Sequence, residues 1–144
     1  MTVTRVSCGY FYLQDFIPNN THDTRVTVIG QRAFAFRRKV RANDFRASGS
    51  GQIEYDRTAV DPECLRIAFR VAGQLGSQSM AFDFVHTADR RPLIVEISYG
   101  YNSDAVYNAG GFWSADLAWH ETPMWPEQAI LEDVLSAVAH GSSA

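Results

Sequence analysis

Two carboxylates, Asp83 and Glu96, have the types and spacing that most readily suggest chemistry. Ser79 to His86 and Leu93 to Ser98 read as the strands of an antiparallel hairpin, with the polar stretch Thr87 to Pro92 between them. A symmetric loop centred between Asp89 and Arg90 sets Asp83 directly opposite Glu96 on one face, with Cβ atoms roughly 4.5–5.5 Å apart. On this register Ala81, Val85, Ile94 and Ser98 share the face, which makes it partly apolar. Like charges in such a place repel unless one is protonated or a cation lies between them. Mg²⁺ is held in this way, by one or two carboxylates together with waters and phosphate oxygens. In any other register the pair is simply two solvent-facing acids.

A second group is basic. Arg32, Arg37, Arg38, Lys39, Arg41 and Arg46 crowd into one short window that runs on into Ala47-Ser48-Gly49-Ser50-Gly51. Backbone N–H groups of a Ser/Gly loop can approach an anion closely, and neighbouring arginine supplies bidentate charge. The competing role is a flexible, solvated hairpin loop, since neither a Walker A pattern nor a nucleophile elbow is present. Asp23-Thr24-Arg25 places an acid and an arginine on one face of a strand, where an intrastrand ion pair is the default and the same face can look onto the carboxylates. His22, His86, His120 and His140 show no ligand spacing.

The elements that must position these residues follow from pattern. Tyr10 to Ile17 reads as a strand stopped by Pro18-Asn19-Asn20, and Asp23 to Ile29 alternates cleanly between two faces. Gly30-Gln31 suits a two-residue hairpin turn returning through Arg32 to Arg38, after which most of Val40 to Asp56 reads as loop. Asp61-Pro62-Glu63 starts a helix with an N-cap carboxylate and proline in the first turn, and Gly76 can end it. Tyr99 to Trp125 is rich in glycine, asparagine and aromatics without a clear period, and suits core and lid packing. Pro126 opens an amphipathic helix with Ile130, Leu131, Val134, Leu135 and Val138 on one face, and the tail from 139 to 144 is expected to fray. Together these predict an α+β fold: a mainly antiparallel sheet with two packed helices.

Composition bounds the rest. At 144 residues, 46% hydrophobic and 20% charged, the chain suits one folded domain over 1–144 and excludes a disordered or fibrous protein. A net charge of −3 gives no general attraction to nucleic acid or anionic membrane, and the basic stretch has only Phe34, Phe36 and Phe45 for base stacking. No apolar run approaches the ~20 residues of a membrane span. Cys8 and Cys64 have no CxxC spacing and form no disulfide framework, which fits a reducing, cytoplasmic setting. Lys39 is the single lysine, so any chemistry that needs a deprotonated lysine has one candidate.

The order of parts carries a resemblance. Leu13-Gln14-Asp15-Phe16-Ile17, then Asp23-Thr24-Arg25, an arginine-rich strand, Asp44-Phe45-Arg46-Ala47-Ser48-Gly49-Ser50-Gly51, a helix, Asp83 and Glu96 resemble the C-terminal half of the ATP-grasp superfamily of ATP-dependent ligases. The likeness is nearest the branch containing ribosomal-protein glutamate ligases and covers roughly residues 10 to 110. It implies that Gln14, Asp15, Phe16 and Ile17 form the hinge whose backbone pairs with adenine, and that Arg37, Ser48 and Ser50 belong to the nucleotide site. It implies that Arg25 and Arg46 approach the transferred phosphate or an acyl-phosphate, while Asp83 and Glu96 hold Mg²⁺ on ATP. Ser98 stands where the family has asparagine, as third ligand. The implied activity is carboxylate activation by γ-phosphoryl transfer, then displacement of phosphate by an amine or thiol. The family's N-terminal substrate region and its ATP-gripping lysines have no counterpart here, so the resemblance implies a lobe completed by a partner chain or a second copy. The alternative is a non-catalytic nucleotide- or protein-binding module that keeps the fold.

Overall fold

The computed structural model describes residues 14–40 and 52–141. It is an α+β structure built on a seven-stranded antiparallel sheet. Strands β1 (His22–Ile29) and β2 (Arg32–Lys39) form a hairpin that pairs His22 with Lys39 at one end and Ile29 with Arg32 at the other. Gly30 takes the positive φ of 56° that this two-residue connection needs. β3 (Ile53–Glu54) is a short strand in the stretch read mostly as loop, and it pairs with Arg38 and Arg37. β4 (Ser79–His86) lies against β1, and β5 (Pro92–Ser98) lies against β4 at the sheet edge. On the other flank, β6 (Phe112–Ser114) pairs with β2 and carries β7 (Trp119–His120).

Helix α1 (Pro62–Leu75) has the boundaries its sequence dictates. The Asp61 carboxylate accepts from the Glu63 N–H, and Gly76 closes the helix in the left-handed region at φ 62°. Its face of Cys64, Leu65, Ala68 and Ala72 is buried against Val26, Val28, Ala33, Ala35, Phe82 and Phe84, the inward set of β1, β2 and β4. Among the described helices, two meet the opposite face, and they do so at one end. There α2 (Ser103–Tyr107) and the start of α3 (Pro126–Gly141) pack Val106, Met124 and Ala129 onto Ile29 and Phe34.

Three differences from the expected layout have physical causes. Of the strand expected over Tyr10 to Ile17, residues 10–13 lie outside the described residues, and 14–17 are not in a strand, with Phe16 largely exposed rather than packed in a ladder. The aromatic segment is more regular than its composition suggests, since it carries α2, β6 and β7. It is consolidated by stacking of Tyr107 on Trp125 and an edge contact between Trp113 and Trp119. Finally, α3 is helical through Gly141 but docks by Pro126, Ala129 and Ile130, leaving Leu131, Val134, Leu135 and Val138 exposed. Helical periodicity shows that a stripe exists, not which surface it meets.

Candidate functional site

The part of the sheet face beyond the contacts of α2 and α3 carries a layer of charge. Alternation along β1 sends Asp23 and Arg25 to this face and Thr24 and Val26 to the other, and the β1–β4 register sets Arg25 opposite Asp83. The Arg25 guanidinium grips Asp83 with two hydrogen bonds, Nε to Oδ1 and Nη2 to Oδ2, both 2.7 Å. Arg38, opposite Asp23 on β2, donates Nε to Asp23 Oδ1 at 2.9 Å, pairs its Nη2 with Asp23 Oδ2, and also gives Nη2 to Asp83 Oδ2 at 2.7 Å. The intrastrand Asp23–Arg25 pair expected from sequence is thus replaced by cross-strand pairs, because directly opposed side chains are closer than i, i+2 neighbours.

Asp23, Arg38 and Asp83 are buried, and their two acids and one base, with half-buried Arg25, make a neutral quartet. Burial works against the Arg38 charge, but the bonds and charges of Asp23 and Asp83 outweigh it and push its pKa up. For Asp23, burial is the larger influence and lifts the carboxyl above the ordinary aspartate value, with Arg38 opposing.

Glu96 faces Asp83 across the β4–β5 ladder, the register expected for the pair. Nearer the turn, however, Phe84 pairs with Ile94, so Val95 is an extra residue: a β-bulge. Because of it Ile94 swings to the opposite face and packs on the core with Phe84, rather than beside the carboxylates. The cations that compensate Asp83 in this arrangement are guanidinium groups, held on the side of Asp83 away from Glu96. Asp83 Oδ1 accepts one hydrogen bond and Oδ2 two, while among the described residues no hydrogen bond or ion pair reaches the exposed Glu96. The quartet is neutral, and the exposed Glu96 carboxylate lies outside it.

The other candidates distribute unevenly. Ser98 lies on the same face opposite Ala81, but its hydroxyl exchanges hydrogen bonds with the backbone of Gly100. The Gln14 amide donates to the Val95 carbonyl at 3.4 Å, which brings the segment of Gln14, Asp15, Phe16 and Ile17 alongside β5 at the bulge. Asn20 fastens that segment, bonding both the backbone N–H and the carbonyl of His86. Arg37 projects to the opposite face, opposite Thr24, and pairs with Glu54 at 3.4 Å. Arg46, Ser48 and Ser50 lie outside the described residues.

Asp23 and Arg38 were each noted in the sequence, but not their pairing with one another and with Asp83. The signal was available: both sit on the alternation frame of Arg25, and a hairpin through Gly30-Gln31 makes them partners. As a fit for Mg²⁺, the face offers Glu96 freely and one remaining lone pair on Asp83 Oδ1, so fuller ligation by Asp83 requires Arg25 to let go of it.

No protein family and no curated protein matches the chain. Among solved structures, it is similar to the macrocyclase MdnC bound with precursor peptide MdnA, at 17% identity and a TM-score of 0.49, over 83% of this chain and 31% of that one. It is also similar to the macrocyclase MdnB, at 18% identity and a TM-score of 0.49, over 85% of this chain and 40% of that one. Both are from Microcystis aeruginosa MRC. The chain therefore spans less than half the length of either structure, and the chemistry of its charged face rests on its own side chains.

Proposed function

We propose that the chain is the ATP- and Mg²⁺-binding lobe of an ATP-dependent carboxylate–amine or carboxylate–thiol ligase of the ATP-grasp type, acting through an acyl-phosphate. The observation that carries this reading is the arrangement of Arg25, Asp83 and Glu96 on one sheet face, with Glu96 exposed at its edge and unpaired among the described residues. Arg25, half-buried and held by Asp83, would turn to phosphate oxygens and leave Asp83 facing Glu96. Mg²⁺ bound there would neutralise phosphate charge during transfer. Arg25 would steady the same phosphoryl group by bidentate hydrogen bonds. The segment of Gln14, Asp15, Phe16 and Ile17, tied to β5 through Gln14, would border a nucleotide on this face. Because the chain has a single lysine, we also propose that a partner chain or a second copy supplies the remaining phosphate contacts.

Calorimetric titration of the full chain with ATP, with and without Mg²⁺, tests the reading. Binding that needs Mg²⁺ and weakens at least tenfold in Glu96→Gln is expected. The absence of heat with ATP and Mg²⁺ together would remove the claim that this lobe binds nucleotide unaided. One observation favours a second reading, a non-catalytic module: both oxygens of Asp83 are already bound by arginine. ATP binding that is indifferent to Mg²⁺ and to Glu96→Gln would support that reading.

A further inference from the structure

On the far side of the sheet from the charged quartet, where α1 begins and β4 ends, three different metal-ligating side chains converge. The Cys64 thiol, the His86 imidazole and the Asp61 carboxylate bring one ligand atom each to within 4.8 Å of one another. We propose that they form a binding site for a Zn²⁺-class divalent cation, with three protein ligands and one position left to solvent.

The donor set argues for the class of ion. A thiolate, an imidazole and a carboxylate suit a borderline metal in tetrahedral coordination, whereas Mg²⁺ and Ca²⁺ take oxygen ligands. Metal–sulfur and metal–nitrogen bonds of about 2.3 and 2.0 Å put ligand atoms about 3.5 Å apart around a tetrahedral ion. A contraction of about 1 Å, within the reach of side-chain rotation, therefore closes the site. His86 Nε2 and Asp61 Oδ2 already approach to 3.2 Å.

Each ligand is held from behind. Asp61 uses Oδ1 to cap α1 through the Glu63 N–H, which turns Oδ2 toward His86, and its carbonyl accepts the Cys64 N–H at 3.0 Å. The backbone of His86 is clamped on both sides by Asn20. Such supporting contacts fix ligand orientation before an ion arrives. His86 and Asp61 are partly exposed, giving an ion a path from solvent, while Cys64 is fully buried at the base. Burial pushes the Cys64 thiol up to about 12, so without a metal it is an inert thiol rather than a nucleophile beside a base. Binding would release the thiol proton and join the start of α1 to the end of β4.

Cobalt(II) titration of the full chain tests this. A Cys8→Ser background leaves Cys64 as the only thiol. A sulfur-to-cobalt charge-transfer band saturating at one equivalent and displaced by Zn²⁺ is expected, together with insensitivity to Mg²⁺. Cys64→Ala should abolish the band. His86→Gln and Asp61→Asn, both at partly exposed positions and the latter keeping the helix cap, should each weaken Co²⁺ binding at least tenfold while circular dichroism stays unchanged. No band in the Cys8→Ser protein would overturn the proposal. So would a band that survives Cys64→Ala, or undiminished affinity in both His86→Gln and Asp61→Asn.

Discussion

Asp83 holds two arginines on a largely buried face, which makes it the residue on which most of the charged layer depends. Asp83→Asn leaves three charges with one acid, and a cost of about 3–5 kcal/mol is expected from urea unfolding, the scale for breaking one partner of a buried pair. Glu96→Gln, at an exposed site, should stay within about 0.5 kcal/mol of the parent in the same measurement. The contrast separates a residue that holds the sheet from one free to meet a ligand. His22, at the start of β1, gives a pH signature. Its pKa lies below the ordinary 6.5, through burial first and then the charges of Arg37 and Lys39. The native state thus resists the proton more than the unfolded chain does. The contribution of His22 to stability is complete above 6.5 and declines as pH falls through that value toward the lower native one. An imidazole NMR titration should place the midpoint below 6.5, and His22→Gln should flatten this part of the pH–stability curve.

At the scale of elements, two glycines call for opposite outcomes. Gly30 has positive φ, and a Cβ there would lie 2.0 Å from Asp133 Oδ2, whose other oxygen takes a hydrogen bond from Arg32. Gly30→Ala should cost at least about 1 kcal/mol by thermal unfolding, since it strains the turn and pushes α3 off β2. Gly73 lies within α1, and a Cβ there meets nothing within 4 Å, so Gly73→Ala should stabilise by about 0.5–1 kcal/mol. α1 and the β1–β2 hairpin were legible in sequence because their signals are local: a cap, a proline, a closing glycine, a two-residue turn and strict alternation. The bulge at Val95 was not. It reflects competition between two demands on one strand, burial of Ile94 and presentation of Glu96 on the opposite face, and no local propensity encodes that. The cross-strand pairing of Asp23 with Arg38 was implicit in the hairpin, whereas the convergence of Asp61, Cys64 and His86 joins residues 25 positions apart with no shared period.

Over the whole molecule, α1 spans one side of the sheet while α2 and α3 cap one end of the other, and the charged quartet occupies the part of that face beyond their contacts. The fold class was readable because alternation and helical period each occupied distinct stretches. The docking of α3 was not, since it meets the sheet through Pro126, Ala129 and Ile130 while most of its apolar stripe stays exposed. Leu135→Gln should therefore leave the melting temperature within about 2 °C, as expected for an exposed position. The strand order also leaves the two ends of the sheet unlike one another. β7 is two residues long and offers little to pair with, but β5 is a seven-residue edge rich in branched aliphatics. Such an edge is a template for intermolecular pairing. Pro92 removes a donor at its start, Glu96 adds charge, and the bulge at Val95 breaks the even spacing of its outer hydrogen-bonding groups. What shapes the charged face thus also guards against self-association: removing Val95 would straighten the edge as well as misplace Glu96. Faster growth of light scattering at elevated temperature is expected for that deletion than for Glu96→Gln alone.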